Sequence, residues 1–372
     1  MFEHFTDRTR KVTPLDNKDP TEAIRILDAA ANRATEGLRV VEDYVRFVLD
    51  DAYLTELAKQ LRHDLAAACT TLRRADRAAM RDTQCDVGTE ISTHSEAQRL
   101  DTWEVCQASF ERTKQSLRSL EEFGKIIEPR FAGQIEALRY RSYTLEKAVV
   151  VSIESGQRLR DVSLCVLVDG QDSPGEFAIL VSELFAAGVG MIQLRDKRLA
   201  DGPLLGRAER LVEQARRAGS TCIIINDRPD IAAAADADGV HLGQDDLSVK
   251  DARAILGPRK LIGVSTHAVE QARAAVLDGA NYLGAGPTFP STTKTFSQFP
   301  GLEYLEQVAA EISLPLLAIG GIDATNLPQV LQTGVTRVAV SAAVGGTENP
   351  GSAAQSILKI LRDSAALGTG TA

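Results

Sequence analysis

The sequence predicts an α/β chain: a C-terminal (β/α)8 TIM barrel preceded by an all-α helical domain with an internal duplication. Three observations carry this. From about residue 162, short apolar runs alternate with helical stretches. Between residues 21 and 160, apolar residues recur at spacings of three and four, with Pro129 the one proline in the stretch. Glycine divides the same way, 5 of the 28 falling in residues 1–160 and 23 in residues 161–372. Two domains are expected, residues 1–160 and residues 161–372, in keeping with about 100–200 residues per domain.

Composition narrows the class. At 44% apolar and 25% charged residues, the chain reads as globular. It has no uncharged apolar run of about 18 residues to span a membrane. Its first twenty residues are charged and lack the apolar core of a secretory signal. The five cysteines are scattered, with no CxxC pair, which argues against structural zinc and a disulfide framework and for a cytoplasmic chain with reduced thiols. A net charge of −9 disfavours nonspecific nucleic-acid binding but permits a phosphorylated metabolite, which needs only local donors. The expected partners are thus small molecules, with no nucleic acid and no membrane; a homo-oligomer is compatible with all of this.

The first half opens on a helical pattern, Ile24, Leu27, Ala31, then Leu38, Val41, Val45 and Val48. Residues Asn32 to Tyr44 align with Glu111 to Phe123, sharing Arg–x5–Leu-Arg-x-x-Glu-acid-aromatic, and Leu61-Arg62-His63 aligns with Leu138-Arg139-Tyr140. Two copies of a helix pair predict a pseudo-twofold bundle. The repeated charges have two readings. Arg39 with Asp43 and Arg118 with Glu122 make i,i+4 surface pairs; alternatively Arg33, Arg39, Arg62 and their repeats line a cleft that holds phosphate. Between the copies, Met80 to Gly88 reads as a polar loop in which Arg81, Asp82 and Asp86 have the chemistry for phosphate and Mg²⁺, or as an ordinary connector. No GxxxxGK[ST] loop is present, which excludes a P-loop nucleotidase.

The second half gives eight apolar runs: Leu164–Val168, Gly190–Leu194, Cys222–Ile225, Gly239–Leu242, Leu261–Val264, Tyr282–Gly284, Leu316–Ile319 and Val338–Val340. Helical segments such as Phe177–Ala187, Leu204–Ala218, Val269–Leu277 and Leu302–Ile312 separate them. An open doubly wound sheet is the alternative, but no GxGxxG follows the first run. In a barrel the chemistry sits at the C-terminal strand ends, and polar residues cluster there. Gln193, Arg195 and Lys197 follow the second run, with alternation placing them on one face, suited to a polyphosphate. Asn226 and Asp227 follow the third, and His241 to Leu247 include Asp246 after the fourth. Asp227 and Asp246 are a carboxylate pair fit for Mg²⁺, unless Asp245 or Asp246 caps the helix near Ser248. Ser265-Thr266-His267 follow the fifth run. Gly286 to Lys294, hydroxyl-rich and ending in a cation, is expected to act as a lid. Gly320-Gly321 and Ser341 follow the last two runs, where backbone amides form a phosphate site. His241 and His267 are lone histidines read as structural or supporting. Two anion sites, one of them metal-assisted, suggest a transferase with a pyrophosphate leaving group.

Gln-x-Arg-x-Lys, Ile-Asn-Asp, Gly-Val-His-Leu-Gly-Gln-x-Asp-Leu, Gly-Val-Ser-Thr-His, Gly-Pro-Thr-Phe-Pro-x-x-Thr-Lys and Ile-Gly-Gly-Ile occur in that order across residues 162–362. Together they resemble the thiamine-phosphate synthases (thiamine-phosphate pyrophosphorylases). The resemblance implies a (β/α)8 barrel that joins 4-amino-2-methyl-5-(diphosphooxymethyl)pyrimidine to a thiazole or carboxythiazole phosphate, releasing pyrophosphate. It implies that Gln193, Arg195, Lys197, Asn226, Ser265 and Lys294 bind the pyrimidine diphosphate, with Arg195, Lys197, Ser265 and Lys294 closest to the chemistry. It implies one Mg²⁺ on Asp227 and Asp246, and thiazole phosphate on Ser291, Thr293, Gly321, Val340 and Ser341. Asp196 stands where the family often has Glu; pointing away from the binding face, it is expected to matter little. The first half, through its repeated Asn-Arg-Ala-x-Glu-Gly-Leu-Arg-Val-x-Glu-Asp pattern, Leu-Arg-His and Arg-Asp-Thr-x-x-Asp-Val-Gly, resembles a noncanonical hydroxymethylpyrimidine-phosphate kinase, which implies ATP as its second substrate. Arg39, Arg62, Arg81, Asp82 and Asp86 are its candidate site residues on chemistry alone. The alternative is a thiazole tautomerase-like barrel with a helical dimerisation module.

Overall fold

The computed structural model describes residues 20–81, 99–219, 221–290 and 299–368. The helical region comprises α1 (Pro20–Phe47), α2 (Ala52–Ala68), α3 (Arg74–Ala79), α4 (Thr102–Ile127) and α5 (Pro129–Arg158), with a 3-10 turn at Cys69–Thr71. The barrel follows as β1 (Leu164–Val168), α6 (Pro174–Ala187), β2 (Met191–Leu194), α7 (Asp201–Ala218), β3 (Cys222–Asn226), α8 (Pro229–Ala234), β4 (Gly239–Leu242) and α9 (Val249–Leu256). Its second half is β5 (Leu261–Thr266), α10 (Val269–Asp278), β6 (Tyr282–Ala285), α11 (Gly301–Glu311), β7 (Leu316–Ile319), α12 (Leu327–Gln332), β8 (Val338–Val340), α13 (Ala342–Gly345) and α14 (Pro350–Gly368). No described helix is long and apolar enough to cross a membrane, and no disulfide joins the described cysteines.

Two compact units emerge: Met1–Val41 with Gln60–Ser142, and Glu42–Lys59 with Tyr143–Ala372. In the first unit the repeat buries its apolar positions and leaves Arg33, Arg39, Arg112 and Arg118 exposed. Leu38 on α1 and its repeat Leu117 on α4 are both fully buried, as are Ala34 and Thr113. Each such leucine contributes about 1.5–3 kcal/mol by leaving water. Gly37 lets α1 approach α4, since a Cβ there would lie 2.3 Å from Thr113 Oγ1 and 2.8 Å from the Ser109 carbonyl. The bundle also encloses an ion pair, Arg139 Nε donating to Glu121 at 2.7 Å.

In the second unit the eight strands pair in parallel and in order, β1 closing on β8. This is the predicted barrel rather than the open sheet. Its lower interior is filled by Leu159, Val162, Cys165, Met191, Ile224, Leu261, Tyr282, Leu317 and Ala339. Three strands run further than their apolar runs suggest, β6 only by Ala285. β3 extends to Asn226, which pairs with His241, and β5 extends to Thr266, with Ser265 opposite Gly284. Polar residues read as loop are therefore held in the ladder. The segment Glu42–Lys59 joins this unit through Asp51, which accepts from Leu54 N at 2.7 Å and from Ser313 N and Oγ at 2.9 Å each.

Candidate active site

Gln193, the penultimate residue of β2, is buried inside the barrel. Arg195 carries the ladder one residue past the strand, its N–H donating to Val168 O at 2.8 Å. The chain then bends, and the bend is organised by Asp196. Its fully buried carboxylate accepts from Gly170 N at 2.9 Å, Arg198 N at 2.6 Å and Leu199 N at 3.1 Å. Asp196 faces away from the site, as expected, and its carboxylate holds the backbone on either side of Lys197. From within the bend, Lys197 Nζ reaches to 3.7 Å from Asp227 Oδ2.

Asp227 directly follows β3 and adopts φ 61°, a left-handed conformation that Asp tolerates better than most residues. Its N–H donates to His241 O at 2.8 Å, which fixes the turn. Burial raises the Asp227 carboxyl above the usual carboxylate range; the facing Asp246 carboxyl, within hydrogen-bonding reach, raises it further, and Lys197 and Arg195 partly counter both. Asp246 folds back onto its own loop, Oδ2 accepting from Gly243 N at 2.6 Å. A Cβ on Gly243 would stand 2.9 Å from that oxygen, so a side chain there would push the Asp246 carboxylate away. The capping alternative for Asp245 and Asp246 fails, because Ser248 is the N-cap of α9 and accepts from Asp251 N. Arg195, Lys197, Asp227 and Asp246 are thus brought together as one cluster of two cations and two carboxylates.

Two carboxylates in mutual contact, one of them reluctant to ionise, suit a divalent cation. Among the described residues no group of three His, Cys, Asp or Glu forms a fuller metal cage. A metal here would leave most of its coordination to water and substrate oxygens, the habit of Mg²⁺.

Ser265 stands across the barrel mouth. Its carbonyl accepts from Gln244 Nε2 at 2.5 Å, and its Oγ lies 2.9 Å from His241 Nε2. His241 is therefore not a lone histidine; its Nδ1 lies 3.2 Å from the Tyr282 hydroxyl. His267 is tied to the carbonyl of Gly286. After β7, Gly320 and Gly321 take φ 101° and 64°, where a Cβ would meet Pro287 and the carbonyl of Pro290 at 2.8 and 2.6 Å. Val340 ends β8 and Ser341 follows it. Ser291, Thr293 and Lys294 lie outside the described residues. The described start of their loop is pinned rather than free, Thr288 N and Phe289 N donating to Ile319 O and Gly320 O at 2.9 and 3.0 Å.

In the helical unit the second copy bears out the surface-pair reading: Arg118 meets Glu122 at 2.8 Å and Glu121 at 2.8 Å. Arg39 lies exposed on α1, and Arg62 on α2 comes within 3.4 Å of His63. Arg81 grips buried Asp28 through two nitrogens, at 2.5 and 3.1 Å, a partner 53 residues away that the local motif did not signal. Asp82 and Asp86 lie outside the described residues.

Comparison with known proteins accords with this geometry. Residues 164–344 match the thiamine monophosphate synthase family model, and residues 25–148 match the ThiD2 family. A thiamine-phosphate synthase of Rhodopirellula baltica is 43% identical over 89% of this chain and 90% of its own length. One of Synechocystis is 40% identical over 92% and 98%. The solved thiamine phosphate pyrophosphorylase of Pyrococcus furiosus, 34% identical, covers 55% of this chain and 96% of its own, with a TM-score of 0.50. At this identity across nearly the whole of both chains, the protein belongs to the thiamine-phosphate synthase family.

Proposed function

We propose that the barrel condenses 4-amino-2-methyl-5-(diphosphooxymethyl)pyrimidine with a thiazole phosphate, giving thiamine phosphate and pyrophosphate. The observation that carries this reading is the cluster of Arg195, Lys197, Asp227 and Asp246 at adjoining strand ends. A tautomerase has no need of such a diphosphate-binding set. Arg195 and Lys197, joined by Lys294, hold the diphosphate. Gln193 and Asn226 hold the pyrimidine, and Ser265 contacts the diphosphate. Asp227 and Asp246 hold Mg²⁺, which when bound stabilises the charge developing on the departing pyrophosphate. Gly321, Val340 and Ser341, with Ser291 and Thr293, hold the thiazole phosphate.

The bond between the pyrimidine methylene and the diphosphate oxygen breaks, and its electron pair leaves with pyrophosphate. The electron-rich aminopyrimidine carries the resulting positive charge, and the thiazole nitrogen lone pair forms the new carbon–nitrogen bond. No protein nucleophile is needed; the cations at the strand ends act by preorganised electrostatics. The purified chain supplied with both substrates and Mg²⁺ yields thiamine phosphate on this reading; failure to form it would refute the proposal.

The ThiD2-type unit is assigned the preceding step, ATP-dependent phosphorylation of hydroxymethylpyrimidine phosphate, and both steps are placed in the cytoplasm. The test uses the full chain, because Glu42–Lys59 and the end of α5 from Tyr143 group with the barrel residues. Incubation with ATP and hydroxymethylpyrimidine phosphate gives the diphosphate; no phosphate transfer would leave the helices a scaffold.

A further inference from the structure

Inside the barrel lies a polar chain whose two middle members, Tyr282 and His241, none of the steps above uses. Tyr282 opens β6 with its side chain wholly buried. Gly263 on β5 makes room for it, since a Cβ there would sit 2.1 Å from the ring. The Tyr282 hydroxyl lies 3.2 Å from His241 Nδ1, with the Gln193 amide within side-chain hydrogen-bonding reach of it. His241 is 7% exposed, and its Nε2 lies 2.9 Å from Ser265 Oγ. The run Gln193–Tyr282–His241–Ser265 thus connects two residues read as substrate contacts through two buried ones.

We infer that Tyr282 and His241 are positioning residues that fix one histidine tautomer, so that Ser265 presents its hydroxyl proton to the substrate diphosphate. The inference rests on the reading of Ser265 as a diphosphate contact. Counting protons along the chain gives the polarity. Burial pushes the Tyr282 phenol well above its ordinary value, so it keeps its proton. On this inference the Gln193 amide presents its N–H to the phenol oxygen, so that the one phenol proton goes to His241 Nδ1. The imidazole proton then resides on Nε2 and is donated to Ser265 Oγ. With its oxygen accepting from the ring, Ser265 directs its own proton outward, where an anionic oxygen is a matching acceptor. In the opposite tautomer Nε2 would take the serine proton, and the hydroxyl would turn lone pairs toward an anion.

The test is made on the full chain labelled with ¹⁵N at histidine. The His241 signals are identified by their loss in His241→Gln. At neutral pH the inference requires Nδ1 unprotonated and Nε2 protonated; the reverse, or a doubly protonated ring, overturns it. A second arm keeps the question open to kinetics. Tyr282→Phe lowers kcat/KM for the diphosphate about tenfold when Ser265 is present and less than about twofold in a Ser265→Ala background, the mark of coupled residues. An equal loss in both backgrounds would make Tyr282 a packing residue only and overturn the inference. If Ser265→Ala alone left kcat/KM unchanged, the assignment of Ser265 would fall and the inference with it, even with the tautomer as stated. Activity that disappears only when Asp227 is replaced would then locate the diphosphate elsewhere on the rim.

Discussion

Replacing Asp196 by Ala should weaken the barrel and its grip on the diphosphate together. The carboxylate is fully buried and accepts three backbone N–H groups, with the Arg198 guanidinium a fourth donor at 3.3 Å. Arg198 is exposed, so its freed donors find water. Gly170 is buried, and its N–H is stranded, at a cost of about 1–3 kcal/mol. With the loss at Leu199, a total of about 2–3 kcal/mol is expected, or roughly 4–12 °C in melting temperature for a unit of this size. Lys197 sits within the bend, so KM for the diphosphate should rise several-fold while kcat changes less. The pH dependence has a definite sign. Burial alone would raise the Asp196 carboxyl, but the N–H groups of Gly170, Arg198 and Leu199 and the Arg198 guanidinium outweigh it and hold the carboxyl below its ordinary value. A depressed carboxyl contributes stability that is complete above the unfolded value, about 3.9, and lost as pH falls through the lower folded value. The stability gap between the wild type and Asp196→Asn should therefore be constant from pH 7 to 5 and close below about pH 4. Calorimetry across that range, with steady-state kinetics at pH 7, measures both effects. A melting temperature within ~1 °C of wild type with an unchanged KM would refute the reasoning.

Asp227→Asn should separate activity from stability. Asn accepts φ 61° and removes one of two facing carboxyls, so thermal stability should hold or rise while kcat/KM falls about a hundredfold with the lost metal site; a matching fall in melting temperature would contradict this. Two glycine changes in the helical unit should act with opposite signs. Gly37→Ala drives a Cβ to within 2.3 Å of Thr113 Oγ1, whose proton is committed to Ser109 O at 2.8 Å, and should cost about 1–3 kcal/mol. Gly133→Ala on α5 meets nothing within 4 Å and should stabilise by about 0.5–1 kcal/mol. Thermal unfolding of the two variants checks the pair.

The barrel was legible because its strands are short apolar runs between helical stretches, and the strand-end rule then picked out Arg195, Lys197, Asp227 and Asp246 without any contact information. Ser265 and Asn226 were legible as residues but not as ladder members, since polar side chains at a strand end look like loop. The structural role of Asp196 was not legible because its partners are backbone N–H groups, one of them 26 residues away in the chain, and backbone donors carry no sequence signature. Tyr282 passed as an apolar strand residue. A signal was present in Gly263, a glycine in the middle of an apolar run, which marks a close approach. The α1–α2 corner carries no Gly or Pro to mark it; Asp51 holds it, its side chain accepting from Leu54 N and from Ser313, 262 residues away. The Arg81–Asp28 pair was hidden for the same reason of distance, whereas the Arg118–Glu122 pair was readable because helical spacing alone sets it.

The central claim is that this barrel breaks a methylene–diphosphate bond and makes a carbon–nitrogen bond on a rim held by Asp227 and its neighbours. The most direct measurement follows pyrophosphate and thiamine phosphate together, with the full chain, the pyrimidine diphosphate, the thiazole phosphate and Mg²⁺. The account predicts one pyrophosphate for each thiamine phosphate, both abolished in Asp227→Ala. Pyrophosphate release without thiamine phosphate, or an Asp227→Ala chain as active as the wild type, would contradict it.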